Sequence, residues 1–124
     1  MAADSLPLRL SRQMRLKQGR DFLRLKNQGQ RLVHNCLIAN WIVLPPGSTA
    51  RVGIVTSRKL GSAVVRSRAR RLLRESFRLH HRDFVQPVDL VLVARASIVG
   101  KGLAEVESDF LSALRRAKLL KKTE

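Results

Sequence analysis

The sequence predicts one α/β (α+β) domain, a two-layer sandwich with its elements in the order α-β-β-β-α-β-α. Three observations support this prediction. Residues 32–44 and 51–56 are apolar and rich in side chains that favour strands. Residues 63–79 place apolar side chains at helical spacing, and 88–94 is a continuous apolar run after Pro87, which is typical of a buried strand. Helices that cover a sheet bury the apolar faces of both, so this alternation indicates a layered fold.

The whole chain, residues 1–124, is expected to form a single domain. Of its 124 residues 44% are hydrophobic, which is enough for a core. Residues 1–8 are expected to be a loose N-terminal tail and residues 120–124 a frayed C-terminus. A short helix over 20–27 is predicted to end before Gly29, because glycine favours the backbone conformation that terminates helices.

Turn and cap residues divide the rest of the chain. The strand region is expected to break near Asn35, and Pro45-Pro46-Gly47 predicts a turn before the third strand. Ser62 is a candidate N-cap for the central helix, since its hydroxyl can accept a backbone hydrogen bond. A closing helix is predicted over 103–119, with acidic residues early and basic residues late, as the helix dipole favours.

The charge of the chain indicates a polyanionic partner. There are 25 lysines and arginines against 9 acids, which gives a formal net charge of +16. A folded domain this basic usually faces a polyanion, because neutralising phosphates releases counterions. Membrane surfaces also attract cations, so the charge alone does not select RNA. Aromatic residues make up only 4%, which argues against a surface that stacks bases on rows of aromatic rings. Contacts with phosphates and with nucleic-acid shape are therefore the expected binding mode.

Cysteine usage and hydropathy suit a reducing, cytoplasmic setting. Cys36 is the only cysteine, so an internal disulfide or a cysteine metal cluster is excluded, and we expect its side chain in the core. Residues 1–30 lack the apolar segment of a signal peptide. The apolar run 37–44 is too short to span a bilayer, so no membrane partner is expected.

The helix predicted over 63–79 has two distinct faces at about 100° per residue. One arc carries apolar and small side chains, namely Val65, Ala69, Leu72, Leu73, Ser76 and Leu79. An adjacent arc carries the arginines Arg66, Arg70, Arg71, Arg74 and Arg78. Arg68 lies off this arc, towards the other border of the apolar face. Because like charges on one face repel and the guanidinium fork suits phosphate, the basic arc predicts positioned phosphates. Arg58 and Lys59 add charge near the helix N-terminus, which also favours anions.

The residues around this helix form a recognisable pattern. Residues 52–61 read VGIVTSRKLG, 66–68 read RSR, and 69–78 read ARRLLRESFR. With GRDF at 19–22 and DLVLVAR at 89–95, the chain strongly resembles the bacterial ribonuclease P protein family over most of its length. The resemblance implies a fold like the second domain of ribosomal protein S5, with an unusual left-handed βαβ crossover around the helix. It also implies the protein subunit of the ribonucleoprotein that removes the 5′ leader of precursor tRNA.

The resemblance further implies two RNA-binding surfaces. Arg66, Ser67 and Arg68 belong to the surface that contacts the ribonuclease P RNA subunit. A cleft between the arginine-rich helix and the sheet receives the single-stranded leader of precursor tRNA. Positions associated with RNA binding in the family are matched by Arg58, Lys59, Arg71 and Arg74. Phe22 matches an aromatic residue of the cleft that can lie against the leader.

Two positions depart from the family pattern. Ser67 stands where the family usually has asparagine, so we expect RNA contact with altered geometry. Lys26 stands where the family often has a second aromatic residue, one helical turn after Phe22. There we expect phosphate contact in place of stacking.

The protein itself is expected to carry no catalytic residue and no metal site. His80 and His81 point about 100° apart on a helix, and Glu105, Glu107 and Asp109 spread around theirs. A protein nuclease would need converging acid–base groups or a carboxylate metal site. The hypothesis is therefore that catalysis and its Mg²⁺ ions belong to the RNA subunit, and that the protein matters most at low Mg²⁺.

Three alternatives are kept open. A basic ribosomal-type structural protein would bind RNA without promoting cleavage. A DNA-binding module would place the arginine helix in the major groove, but residues 63–82 contain no asparagine or glutamine to read bases, so no DNA partner is expected. An interfacial amphipathic helix fits poorly with the surrounding strand patterns.

Overall fold

The computed structural model describes residues 12–16 and 19–121. Its longer elements are, in chain order, α1 (Gly19–Gln28), β1 (Gln30–His34), β2 (Leu37–Val43), β3 (Arg51–Val55), α2 (Ala63–His80), β4 (Val88–Ala94) and α3 (Leu103–Arg116). Short 3₁₀ turns lie at Arg12–Met14, Arg58–Leu60, His81–Asp83 and Ala96–Ile98. The predicted α-β-β-β-α-β-α order is confirmed.

Both ends of the chain extend past the described residues. The predicted loose tail, residues 1–8, and residues 122–124 of the predicted fraying segment lie outside them. Of the remaining two residues of that segment, Leu120 forms a β-bridge with Phe84, and the Lys121 N–H donates a hydrogen bond of 2.8 Å to the Asp83 carbonyl. Regular backbone contacts therefore extend two residues further than the sequence suggested.

The four strands form one mixed sheet in the order β1-β2-β4-β3. β1 pairs with β2 and β2 with β4 in antiparallel register, whereas β3 and β4 are parallel. Parallel neighbours need a long crossover connection, and α2 supplies it. The last strand in the sequence thus lies between two earlier ones.

Two turns lie where the sequence predicts them. His34 faces Leu37 across the β1–β2 hairpin, and Asn35 adopts a left-handed conformation with φ 49°, which asparagine tolerates better than most residues. Before β3 the Ser48 N–H donates to the Pro45 carbonyl at 3.1 Å, and Gly47 has φ 89°. Proline followed by glycine suits the central positions of such a turn.

Apolar side chains on one face of the sheet form the main core together with α2 and α3. Leu90 and Leu92 of β4 are fully buried there, as are Phe77 of α2 and Phe110 of α3. Cys36 is buried as predicted, with 0% exposure. Because side chains alternate along a strand, Leu90 and Leu92 lie on one side of the sheet and Val91 lies on the other.

The apolar face predicted for α2 is confirmed at its centre, but it also includes the fully buried Phe77, which the predicted arc left out. Ala69, Leu73 and Ser76 are buried against the core, and Leu72 packs at its edge. The Ser76 hydroxyl donates to the Leu72 carbonyl at 3.0 Å, so its burial leaves no unpaired polar group.

The opposite face of the sheet is covered in part by α1. Leu16 and Leu25 pack there on Val91 of β4, with the half-buried Phe22 beside them. Leu25 is the buried residue of α1, whereas α2 and α3 each bury four residues. We call this side of the sheet, with Phe22 and the β3 residues beneath it, the cleft face.

Helix ends follow local hydrogen bonding. The Ser62 hydroxyl accepts a bond from the Val65 N–H at 3.3 Å, which confirms the predicted cap of α2. The closing helix ends at Arg116, earlier than the predicted 103–119 span. Lys118 adopts φ 60°, and the Leu119 N–H bonds to the Leu114 carbonyl at 3.0 Å. This left-handed turn ends the helix and directs Leu119 into the core.

Candidate nucleic-acid interface

The connection from β3 to α2 exposes a first group of basic residues. Arg58 and Lys59 lie in a 3₁₀ turn directly after β3 and are exposed to solvent. Arg66, one turn into α2, donates from Nη1 to the Gly61 carbonyl at 3.0 Å. The structure thereby places these three cations beside the N-terminus of α2, where the helix dipole also favours anions.

Ser67 and Arg70 are linked by a hydrogen bond. Arg70 donates from Nη1 to the Thr56 hydroxyl at 2.7 Å and from Nη2 to the Ser67 hydroxyl at 3.2 Å. The guanidinium is thus held between the end of β3 and the second turn of α2. Ser67 therefore acts as an acceptor that orients Arg70, which the sequence alone did not indicate.

Arg68 points away from this group, as its position on the helical wheel predicts. Its Nη1 donates to the Lys101 carbonyl at 2.8 Å, in the segment that precedes α3. Arg68 and Arg66 therefore lie on different sides of the same helix start.

Arg74 lies beside a cavity of about 240 Å³ at the β3 edge of the sheet. Its walls also include Arg15, Leu16, Gly53 and Ile54. Burial, and then the nearby charges of Arg15 and Arg70, lower the pKa of Arg74 below its ordinary value. Within the described ranges, 12–16 and 19–121, no carboxylate pairs with this guanidinium. An anion in the cavity would relieve the repulsion among these cations.

The other two arginines of the basic arc differ from each other. Arg71 is exposed on the surface of α2. Arg78 donates two hydrogen bonds to Glu75, Nε to Oε1 at 2.8 Å and Nη2 to Oε2 at 2.6 Å. Arg78 lowers the pKa of the Glu75 carboxyl through these bonds. A carboxylate of the same helix therefore pairs with the basic arc at Arg78, near the C-terminal end of α2, but none pairs with it at Arg74 in the described residues.

Phe22 of α1 meets β3 at Gly53, where a larger side chain would displace the ring. A Cβ atom added to Gly53 would lie 2.5 Å from the Phe22 ring and 3.2 Å from the Leu16 Cβ. The ring therefore lies directly on the strand backbone. Since Gly53 also lines the cavity beside Arg74, the aromatic ring and the cationic cavity adjoin each other. Lys26, the departure from the family pattern, is exposed on the same helix.

Two further side chains that could carry chemistry, His80 and Cys36, have structural partners. His80 contacts Asp83 through Nδ1 at 3.1 Å and Glu107 through Nε2 at 2.6 Å, which joins α2 to α3. Burial, and then a hydrogen bond to Asp109, raise the pKa of the Cys36 thiol to about 12, so the thiol stays protonated. In the part of the chain that the structure describes, no three His, Cys, Asp or Glu side chains are placed to hold a metal ion. That part also contains no helix both long and apolar enough to cross a bilayer.

Comparison with known proteins identifies the family. The family model described as Ribonuclease P matches residues 10–118. This chain belongs to the ribonuclease P protein family. The ribonuclease P protein component of Desulfovibrio desulfuricans is 38% identical over 112 residues, which span 86% of this chain and 85% of the relative.

Solved structures of ribonuclease P proteins have the same fold. The Staphylococcus aureus protein matches with a TM-score of 0.79 and 25% identity, covering 87% of this chain and 98% of that one. The Thermotoga maritima protein matches with a TM-score of 0.72 and 28% identity, covering 82% and 96%. The fold predicted from the sequence is confirmed. As a ribonuclease P protein, the chain is a subunit of an endoribonuclease with an RNA partner.

The structure brings several predicted RNA-binding residues together. Arg58, Lys59, Arg66, Ser67 and Arg70 form one group at the start of α2, while Phe22 and Arg74 adjoin at Gly53. Arg68 and Arg78 lie apart from both groups. The sequence reasoning missed Arg15, which shares the cavity with Arg74, because nothing in its local pattern distinguishes it from neighbouring bases.

Proposed function

We propose that this chain binds the catalytic RNA subunit of ribonuclease P and the 5′ leader of precursor tRNA. It thereby promotes endonucleolytic removal of the leader to give the mature 5′ end. The observation that carries this proposal is the cationic cavity at the β3 edge of the sheet, where Arg74 and Arg15 repel each other and Gly53 connects the cavity to the Phe22 ring on the cleft face. A phosphate backbone supplies the missing negative charge, and a base supplies a surface for the ring.

The start of α2 is the proposed contact with the RNA subunit. Arg66 and Arg68 anchor to backbone carbonyls with one nitrogen each, and a guanidinium has further N–H donors that a phosphate could use. Arg70 is pre-oriented by Thr56 and Ser67, which reduces the entropy lost when it binds a phosphate. Arg58 and Lys59 add exposed charge beside them.

The cleft face is the proposed site of the leader. Phe22 offers a ring edge on β3, and Arg74 and Arg71 supply charge from α2. One aromatic residue is too few for a sequence-reading platform, so binding should depend on leader phosphates more than on leader sequence.

Catalysis and Mg²⁺ are assigned to the RNA subunit in this proposal. The protein contributes positive charge that lowers the repulsion between two RNAs, so its effect should be largest when Mg²⁺ is scarce. The setting is cytoplasmic, with no membrane and no DNA partner.

The deciding measurement is cleavage of precursor tRNA by a bacterial ribonuclease P RNA at low Mg²⁺, with and without this protein. We expect the protein to stimulate cleavage at the mature 5′ end strongly. This stimulation should become smaller as the Mg²⁺ concentration is raised. Arg74→Ala should lower kcat/KM about tenfold, since a hydrogen bond to a charged group contributes about 1.5–3 kcal/mol.

Arg115→Ala is the matched control, because it removes one exposed arginine from α3 and leaves the cleft intact. If kcat/KM falls equally in the two variants, Arg74 contributes only through the net charge of the protein. Tight binding to other RNAs with no stimulation of a cognate ribonuclease P RNA would favour the ribosomal-type alternative.

A further inference from the structure

A buried carboxylate connects α1 to the sheet on the cleft face. Asp89 of β4 is 0% exposed, although every other residue of that strand is apolar. Arg51 of β3 donates to it twice, Nε to Oδ1 at 2.8 Å and Nη2 to Oδ2 at 2.7 Å. Arg24 of α1 donates from Nη2 to Oδ2 at 2.6 Å. Three elements distant in sequence therefore meet at one carboxylate.

Burying a carboxylate is strongly unfavourable unless paired charges and hydrogen bonds replace its hydration. Arg51 provides part of this compensation from the neighbouring strand, whereas Arg24 completes it only when α1 lies across the sheet in the observed position. The arrangement thus penalises any displacement of α1 that separates Arg24 from Asp89.

The apolar contacts of α1 are few by comparison. Leu25 is its buried residue, and among the residues that the structure describes the cluster around it has Leu16 and Val91 as further buried members, with Phe22, Ile42 and Val93 partly buried beside them. Because apolar contacts are not directional, such a cluster constrains the tilt of the helix less than hydrogen-bonded ion pairs do. The ion network is directional, and it adds the constraint that the apolar cluster lacks.

The same displacement would move the cleft aromatic. Phe22 precedes Arg24 by two residues on α1, and Gly53 follows Arg51 by two residues on the same side of β3. The bond pair at Asp89 and the contact between ring and strand are therefore two points at which the same helix and strand are held together.

We propose that Asp89 is a positioning residue of the leader cleft, which holds Arg24 and Arg51 together and so keeps the Phe22 ring on Gly53. The inference rests on the proposed function, because it assigns the leader of precursor tRNA to this cleft. Asp89 itself touches no RNA in this arrangement. Its effect on binding passes through α1.

The substitution Asp89→Asn separates positioning from simple electrostatics, because the two accounts predict opposite signs. The change preserves the shape of the side chain and raises the positive net charge by one, so an electrostatic account predicts tighter binding of every RNA. Positioning predicts about tenfold weaker binding of leader-containing substrate despite the added charge. Affinity for mature tRNA and for the RNA subunit should stay equal or rise.

The readout is the leader ratio, which is the Kd for mature tRNA divided by the Kd for precursor tRNA, measured on the assembled holoenzyme. This ratio isolates the contribution of the leader from general RNA affinity. Asp109→Asn is the matched control, since Asp109 also pairs with several side chains, among them Asn35 at 3.1 Å and Lys101 at 3.0 Å. Through Asn35 it joins α3 to the β1–β2 hairpin, away from the cleft face. Its ratio should equal that of the unaltered chain.

A second pair of variants covers the case in which Asp89→Asn folds poorly. Arg24→Gln leaves the bonds between Arg51 and Asp89 in place, whereas Arg20→Gln removes the same charge from an exposed position of α1. Arg24→Gln should lower the leader ratio severalfold more than Arg20→Gln.

Three outcomes are informative. Loss of the leader ratio in Asp89→Asn and Arg24→Gln, but not in their controls, supports the positioning role. An unchanged or increased ratio in both variants overturns it while the proposed function stands. If the unaltered chain itself shows no preference for leader-containing substrate, the proposed function fails, and the positioning role fails with it.

Discussion

The two faces of the sheet are built on different principles. The face under α2 and α3 is closed by apolar packing, with Phe77 and Phe110 fully buried at its centre. The cleft face has a small apolar cluster, a buried ion network at Asp89, and an aromatic ring resting on backbone. Apolar packing is concentrated on one face, and directional contacts that orient α1 lie on the other. Substitutions on the two faces should therefore have separable effects.

The largest expected effect is on the closed face. Phe77→Ala should lower the free energy of unfolding by about 4 kcal/mol, because it removes a fully buried ring and leaves a cavity. Urea unfolding followed by circular dichroism measures this loss. The leader ratio of the molecules that remain folded should not change.

Phe22→Ala is the corresponding change on the cleft face. It should cost less stability, since the ring is only half-buried, but it should reduce the leader ratio. Equal stability losses from the two phenylalanines would remove the distinction between the faces.

An intermediate effect is expected from Asp89→Asn, with a dependence on pH. Burial alone would raise the pKa of Asp89, but the hydrogen bonds from Arg51 and Arg24 outweigh it, and the pKa lies below the ordinary 3.8. Because ionisation then favours the folded state, this stabilisation is complete well above pH 3.8 and is lost as the pH falls through the folded-state pKa.

The variant should be about 2 kcal/mol less stable than the unaltered chain at neutral pH, since both arginines stay partly solvated. The difference should be constant down to about pH 5 and should shrink in stronger acid, as one carboxyl titrates. Denaturant unfolding measured across pH checks this. A difference that grows on acidification would contradict the network.

The smallest effect on stability is expected from Gly53→Ala. The added Cβ meets the outer atoms of the Phe22 ring, which can swing away at a cost of about 1 kcal/mol. The leader ratio should nevertheless fall, because the ring loses its seat on β3. Gly19→Ala is the control on α1, since a Cβ there meets nothing within 4 Å. An unchanged ratio in Gly53→Ala would show that ring position is unimportant.

Features with a local cause were predictable from the sequence. The cap at Ser62, the turn at Pro45 and the strand Val88–Ala94 each depend on neighbours along the chain. The apolar face of α2 followed from helical periodicity alone, and so did the separation of Arg68 from the other arginines.

Features that join distant segments were not predictable in this way. The bonds from Arg24 and Arg51 to Asp89 cross 65 and 38 residues, and the sequence signals only that an acid interrupts an apolar strand. The orienting bond from Arg70 to Ser67 spans one helical turn, but the role of Thr56 in it depends on where β3 ends. The placement of α1 on the opposite face follows from tertiary packing that periodicity does not encode.

The central position of β4 has a consequence for how the chain folds as it is synthesised. β2 and β3 precede α2 in the sequence, yet each pairs with β4 and not with the other. A nascent chain that ends before Val88 therefore has a hairpin and a separate strand, with open edges and no completed sheet. Such long-range pairing slows folding and exposes unpaired strands. Folding of the sheet must wait for residues 88–94, so a premature stop just upstream should yield an aggregation-prone fragment and not a smaller stable domain.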